Sequence, residues 1–275
     1  MVLASLPMYD LPALRAHTDA WWLAIVDALR RQGLVPETSK RTAPAEWPIL
    51  DRACDNYDVW RAPSLLLSQT CGYPLKYQLQ DDAQLVAVPE YDVPGCDGPR
   101  YSSVVVVRDD DPARAIEDLR GYRCAYNATH SQSGYNALRH LLAPLASGEP
   151  FFSKTLATGA HRGSMVAVRD READVCAVDC VTWALSQDVE NCCDGLRIVA
   201  LTASAPALPY ITHRLRSNVD VAALQDALMD ALQQVSGVTR SVLRLRGFSV
   251  LSSKDYDVIC EMQDAAIELG FPELQ

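Results

Sequence analysis

The residues from Thr129 to Ala146, THSQSGYNALRHLLAPLA, place two serines and a glycine directly before an apolar run with helical spacing. Serine is common before a helix because its side-chain oxygen accepts a hydrogen bond from an otherwise unpaired backbone N–H. Hydroxyls and free N–H groups at the positive end of a helix dipole also bind anions when they face a cleft. Ser131, Gln132 and Ser133 are therefore either a helix cap or an anion site.

A second polar turn, Ser68-Gln69-Thr70-Cys71-Gly72, overlaps the end of the apolar run SLLLSQ and precedes a probable helix. A thiol at a helix N-terminus has its thiolate stabilised. Cys71 is therefore a candidate nucleophile, with His161 as its base and Asp179 to orient the histidine. The alternative is packing, since most cysteines at such turns are small buried residues.

Length and composition set the scale of the fold. The chain has 275 residues, 49% apolar and 22% charged, which is typical of a globular protein with two lobes of ordinary size. The formal charge is −10 and no group of Lys and Arg is dense, which argues against nucleic acid and anionic membranes as partners. An anionic ligand must therefore be held by local groups.

Other familiar sites lack their sequence patterns. The chain has no CxxC or HxxxH pair, no GxSxG, no P-loop and no strand-anchored GxGxxG. We therefore predict no metal and no cofactor. Cys176 and Cys180, in VCAVDCVTW, are expected to be small buried side chains.

The N-terminal residues MVLASLPMYD contain no basic leader, and no apolar run approaches the length of a membrane span. The nine cysteines are an odd number without the framework of a small secreted domain. As the sequence stands, these features predict a cytoplasmic protein with reduced thiols and no membrane insertion. Removal of a leader would make a periplasmic location equally consistent.

Strand and helix patterns alternate along the chain and predict α/β architecture with parallel sheets. The segments VPGCDGPRY and APALPYITHRL, rich in proline and glycine, are predicted crossovers, where the chain passes from one lobe to the other. Residues 1–99 and 206–275 would form a discontinuous first lobe, and residues 100–205 an inserted second lobe. The predicted fold thus has a ligand cleft between two lobes, with the turn at Cys71 and the loop at Ser131 facing it.

The chain resembles a known family in four segments: YSSVVVVRDDD, DLRGYRCAYNATHSQSGYNALR, TGAHRGSMVAVRDREADVCAVDCVTW and LTASAPALPYITHR. The family comprises the phosphate, phosphite and phosphonate solute-binding proteins of ABC transporters, within the type II periplasmic-binding-protein superfamily. The resemblance implies a two-lobed fold that closes on a small oxyanion without chemistry. It also implies a transporter membrane component as partner.

The resemblance also implies roles for particular residues. In relatives the S-x-S-G loop holds the phosphoryl oxygens, which matches Ser131, Gln132 and Ser133. The histidine of the GxH motif matches His161, and the acid that ends the next strand matches Asp179. His161 can donate to an oxyanion, and Asp179 can accept from a protonated phosphoryl oxygen or a ligand amine. Each has an alternative: His161 as a cap or packed side chain, and Asp179 as the cap of the following helix.

Weaker candidates complete the predicted site. Ser164 lies one helical turn beyond His161 and would share its face. Thr70 lies beside Cys71, and aromatic residues at strand ends can cover the organic part of a ligand. Those aromatic candidates are Tyr9, Trp47, Tyr91 and Tyr101. Two features depart from the family. The first is the absence of a leader, which means either that the chain was trimmed or that this member serves an internal role such as sensing or delivery. The second is the cysteine at the first-lobe turn, which supports the enzyme alternative.

Overall fold

The protein is described here by a computed structural model that covers residues 3–34 and 49–275. Trp47 lies outside the described residues. The strands are β1 Leu3–Ser5, β2 Leu65–Gln69, β3 Ala83–Tyr91, β4 Cys96–Asp97, β5 Arg100–Tyr101, β6 Ser103–Arg108, β7 Arg123–Tyr126, β8 Lys154–Ala157, β9 Val175–Asp179, β10 Leu196–Leu201, β11 Ala205–Pro206, β12 Tyr210–His213 and β13 Leu245–Ser249. The α-helices are α1 Arg15–Arg31, α2 Asn56–Arg61, α3 Gly72–Tyr77, α4 Ala137–Ala146, α5 His161–Arg169, α6 Cys180–Val189, α7 Asn218–Gln234, α8 Gly237–Val242 and α9 Asp257–Glu268.

Two five-stranded sheets carry the fold. The first has the strand order β1-β2-β12-β3-β13, and the second has the order β10-β6-β9-β7-β8. The first sheet thus comes from two separated stretches of chain, and the second from the stretch between them. The fold is α/β, as predicted.

A small third sheet, with the order β11-β5-β4, forms where the chain passes between the large sheets. It contains strands from both predicted crossover segments, because β5 pairs with β4 on one side and β11 on the other. The two passages are therefore hydrogen-bonded to each other. The exact boundaries of the lobes, at residues 99/100 and 205/206, remain a prediction.

Buried strands account for the long apolar runs. All five residues of β2 are buried. In β6, Val104 and Val106 belong to one apolar cluster and Val105 and Val107 to the other, so both faces of the strand are covered. Because side chains alternate across a strand, a strand covered on both faces needs a continuous apolar sequence.

The prediction of parallel sheets was wrong. In the first sheet only β1 and β2 pair in parallel, whereas β12 is antiparallel to both β2 and β3. In the second sheet β7 is parallel to β8 and β9, but β6 is antiparallel to β9 and β10. Strands β6 and β12 each follow a passage between the sheets, where the chain enters a sheet without a crossover helix.

The sequence patterns also missed short elements. Helices α2 and α8 have six residues each and β13 has five, which is too short for a clear apolar period in the sequence. Residues 210–213, predicted to be part of a crossover, form the central strand β12.

The C-terminal residues pack beside the second sheet. Ala266, Phe271 and Leu274 belong to the apolar cluster that contains Val105 and Val107. Leu274 N donates to the Tyr135 hydroxyl at 3.0 Å, and Tyr135 lies in the turn of the Ser131 loop. The C-terminal segment therefore supports the second sheet as well as following the first.

Candidate ligand-binding site

The loop at Ser131 joins β7 to α4 and is a helix cap, which was one of the two interpretations of its sequence. Ser131 Oγ accepts a hydrogen bond from Gly134 N at 3.1 Å, and Asn136 N reaches Ser131 O at 3.0 Å in a single wide turn. A Cβ atom on Gly134 would overlap Asn127 Oδ1 and lie 3.0 Å from His161 Cε1. A larger residue at position 134 would therefore have to displace the Asn127 side chain and would crowd the His161 ring.

His161, the first residue of α5, contacts the second serine of the loop. Its Nε2 atom lies 2.8 Å from Ser133 Oγ and 3.7 Å from Asp179 Oδ2. Burial lowers the pKa of the imidazole below its usual value, and the Asp179 carboxylate opposes that shift only in part. The ring is therefore neutral at pH 7 in the unliganded site.

Asp179 ends β9 and caps α6. Its Oδ1 atom accepts from Val181 N at 3.0 Å, Thr182 N at 2.9 Å and the Tyr9 hydroxyl at 3.2 Å, while Oδ2 accepts from the Thr182 hydroxyl. The side chain is 2% exposed, so these four donors hold a buried carboxylate. The capping interpretation of Asp179 is therefore correct, and its remaining lone pairs face His161.

Tyr101, at the end of β5, contributes a buried hydroxyl that has no hydrogen-bond partner of ordinary geometry among the described residues. The hydroxyl lies near that of Ser133. Burial raises the pKa of Tyr101, so the phenol keeps its proton and remains a donor. Since buried polar groups rarely stay unpaired, this hydroxyl is free to donate to an additional acceptor.

Tyr9 and Cys71, which lie near the first sheet, contact residues at the second sheet. The Tyr9 ring packs edge to face on Tyr91 with the centroids 5.2 Å apart, and its hydroxyl reaches Asp179. Cys71 Sγ accepts from Gln132 N at 3.5 Å. Contacts across the two sheets therefore surround Ser133, His161 and Tyr101.

Three predicted site residues have side chains engaged elsewhere. Gln132 donates to Met262 Sδ and accepts from Asn136 Nδ2, so only its backbone N–H points toward Cys71. Ser164 Oγ lies 2.7 Å from Thr158 Oγ1 and supports the start of α5. The Thr70 hydroxyl lies 3.5 Å from Cys71 O, the carbonyl oxygen of the next residue.

Two residues of the site went unrecognised in the sequence. Thr182 donates two hydrogen bonds to the Asp179 carboxylate, one from its backbone N–H and one from its hydroxyl. Its position three residues after an aspartate is the usual sequence signal of an N-cap. Asn127 packs against Gly134, and no sequence signal marks it, because the contact depends on how β7 meets the loop.

Cys71 does not have the surroundings of a nucleophile. Burial raises the pKa of its thiol despite the hydrogen bond from Gln132 N. Helix α3 has only six residues, and in the described part of the chain no hydrogen bond joins Cys71 to His161 or Asp179. The thiol is therefore protonated at neutral pH.

We expect Cys71 to react slowly with iodoacetamide at pH 7, because a raised thiol pKa leaves little thiolate. Mass spectrometry of alkylation across a pH series measures this directly, and the exposed Cys54 provides an accessible reference thiol. Rapid modification of Cys71 below pH 7 would restore the enzyme alternative.

No metal site or membrane span is found in the described ranges. Across residues 3–34 and 49–275, no group of three or more His, Cys, Asp or Glu side chains is arranged to hold a metal ion. Within the same ranges, no helix has the length and apolar character needed to cross a membrane.

Sequence comparison decides the family. The family model for the periplasmic substrate-binding protein of the phosphonate ABC transporter matches residues 67–256, more than two thirds of the chain. The chain belongs to this family. The match includes the Cys71 turn, the Ser131 loop, His161 and Asp179. No protein with a curated description matches the sequence.

Solved structures share the fold of this phosphonate-binding family at low sequence identity. XAC2383 from Xanthomonas citri, bound to ATP, is 17% identical with a TM-score of 0.68 over 98% of each chain. The binding protein of an ABC phosphonate transporter from Pseudomonas aeruginosa is 14% identical, with a TM-score of 0.69 over 98% of this chain and 87% of its own. PhnD1 from Prochlorococcus marinus, in complex with methylphosphonate, is 16% identical with a TM-score of 0.68 over 96% and 97%. The type II periplasmic-binding-protein fold predicted from the sequence is confirmed.

Proposed function

We propose that the protein binds a small phosphonate or phosphate-like oxyanion between its two sheets. The observation that carries the proposal is the buried Tyr101 hydroxyl, which has no hydrogen-bond partner of ordinary geometry among the described residues. It lies beside Ser133, which is bonded to the neutral ring of His161. A phosphoryl oxygen placed among these groups would accept from Tyr101 and Ser133. Ser131, whose oxygen already caps the turn, would donate its hydroxyl proton to a second oxygen.

The groups near the bound oxyanion fit a ligand that keeps or carries a proton. Asp179 would repel a bare phosphoryl oxygen, but it would accept from a protonated one or from an amine on the organic part. Tyr9 would cover that part through its ring. Binding energy would stabilise the closed arrangement in which Tyr9 touches Asp179 and Cys71 touches Gln132.

The ligand would then pass to an ABC-transporter membrane component. The described family is periplasmic, and we propose the same compartment and a transport role for this chain. Sensing or delivery inside the cell remains the second role that the sequence allows.

Calorimetry with methylphosphonate, phosphite, phosphate and sulfate tests the proposal, with ATP as an added arm because XAC2383 is described with ATP bound. We expect heat and a thermal shift with at least one of the first three. Absence of both with every compound would contradict the proposal, and binding of ATP alone would replace it with a nucleotide-binding function.

Binding should draw a proton onto His161. The unliganded ring has a lowered pKa, and an adjacent oxyanion would raise it, so affinity should rise as the pH falls through the pKa of the liganded ring. Calorimetry at pH 6 in two buffers of different ionisation enthalpy measures proton uptake. The His161→Gln variant should show less uptake and bind about ten- to hundredfold more weakly, because one charge-assisted hydrogen bond is lost. The variant also corrects for titration of the ligand itself, so equal uptake by both proteins would exclude this role for His161.

A further inference from the structure

Cys96 and Cys180 meet at the edge of the ligand site. Their Sγ atoms are 3.5 Å apart, although 84 positions separate them in the sequence. Cys96 lies on β4, in the first passage between the sheets, and Cys180 is the first residue of α6. Disulfide bonds are about 2.05 Å long, so the sulfurs need to approach by roughly 1.5 Å to form one.

The backbone holds these two cysteines together. Cys180 N donates to Ser102 O at 3.1 Å, and Ser102 N donates to Gly95 O at 2.9 Å. A Cβ atom on Gly95 would lie 2.9 Å from Cys180 Cβ, so the passage packs directly on the start of α6. The thiols therefore face each other across a fixed contact.

Access distinguishes this pair from Cys124 and Cys176. Cys124 and Cys176 lie on neighbouring strands, but both are fully buried and their pKa values are raised by burial. Cys96 is only partly buried. Cys180 is buried, so Cys96 is the thiol of the pair that an oxidant reaches first.

We propose that Cys96 and Cys180 form a disulfide by exchange with a small disulfide or a disulfide-exchanging protein. The Cys96 thiolate attacks one sulfur of the oxidant and releases its first thiol. Cys180 then loses its proton, attacks Cys96 Sγ and releases the second thiol. The two cysteines are thereby oxidised and the oxidant disulfide is reduced to two thiols, as in ordinary exchange.

The bond would connect two parts of the ligand site. Cys96 pairs in register with Tyr101, and Cys180 follows Asp179 directly. A disulfide would therefore fix β4, which pairs with the strand of Tyr101, to the helix that Asp179 caps. It would also fasten the first passage between the sheets to α6, at the place where relative motion of the sheets must be absorbed.

The test incubates the folded full-length protein with oxidised glutathione, then blocks free thiols in acid and maps peptides without reduction. We expect one cross-linked peptide pair containing Cys96 and Cys180. The oxidised protein should also unfold about 5 °C higher than the reduced protein, since the bond closes a long loop in the unfolded chain. Cys96→Ser and Cys180→Ala should abolish both results, whereas Cys54→Ser, at an exposed thiol, should keep them.

Two outcomes would overturn the proposal. One is wild-type protein in which Cys96 carries only glutathione while Cys180 stays free. The other is the absence of any modification at Cys96 when Cys54 in the same sample is glutathionylated. Both readouts use the wild-type chain, so a variant that fails to fold does not affect them.

Discussion

Replacing both Ser131 and Ser133 by alanine should weaken methylphosphonate binding by at least about 30-fold. Each substitution removes a hydroxyl donor from a buried site, and a buried hydrogen bond contributes roughly 1–3 kcal/mol, or about 2–6 kcal/mol for two. Tenfold in affinity corresponds to about 1.4 kcal/mol. Calorimetry on the wild-type and variant proteins gives the ratio, provided that methylphosphonate binds the wild-type protein.

A matched control separates binding from capping. Ser131 caps the turn before α4, and Ser236 caps α8 through the same bond, accepting from Thr239 N at 3.1 Å. Ser236→Ala should lose a similar cap, about 1 kcal/mol of stability, without any change in affinity. If the folded double variant at residues 131 and 133 kept its affinity, the loop would be a helix cap alone.

Asp179→Ala should lower the free energy of unfolding by about 3 kcal/mol in the absence of ligand. The substitution removes the α6 cap and leaves the buried hydroxyls of Tyr9 and Thr182 without their acceptor. For a protein of this size the melting temperature should fall by roughly 6–12 °C. Differential scanning calorimetry or circular dichroism measures the shift.

The comparison for Asp179 uses another capping aspartate. Asp55 caps α2 by accepting from Tyr57 N at 2.8 Å, but it is exposed, so water can replace the lost acceptor. Asp55→Ala should therefore change the melting temperature far less. Asp179→Asn keeps one acceptor for the helix N–H groups and should recover part of the stability. Equal effects of alanine at residues 55 and 179 would mean that the donors around Asp179 find other partners.

The sequence predicted the elements with strong local signals. The apolar runs at β2, β3 and β6, the periodic helices α1 and α7, and the Ser131 cap depend on neighbouring residues alone. The pairing of strands does not depend on neighbouring residues alone. Strand β12 has only four residues, and its position between β2 and β3 depends on contacts with distant segments. The direction of each strand was therefore beyond local patterns.

Part of the site could also be predicted from the sequence. The chemistry of Ser133 and His161 could be anticipated from the residue types and the family resemblance, and the two side chains are in contact. The directions of the Gln132 and Ser164 side chains could not be anticipated, because each depends on a partner outside its own turn. Gln132 bonds to Met262, and Ser164 bonds to Thr158. The unpaired Tyr101 hydroxyl has no sequence signal, because it depends on what surrounds the ring in three dimensions.

The position of β12 has a consequence for synthesis on the ribosome. All five strands of the second sheet lie between residues 103 and 201, so that sheet can complete its hydrogen bonds as soon as this stretch has emerged. In the first sheet β2 and β3 emerge earlier, but β12, the strand that pairs with both of them, follows only at residues 210–213. The earliest part of the nascent chain must therefore wait, with unpaired strand edges, for a later part, and this interval is when the protein is most open to aggregation or chaperone binding.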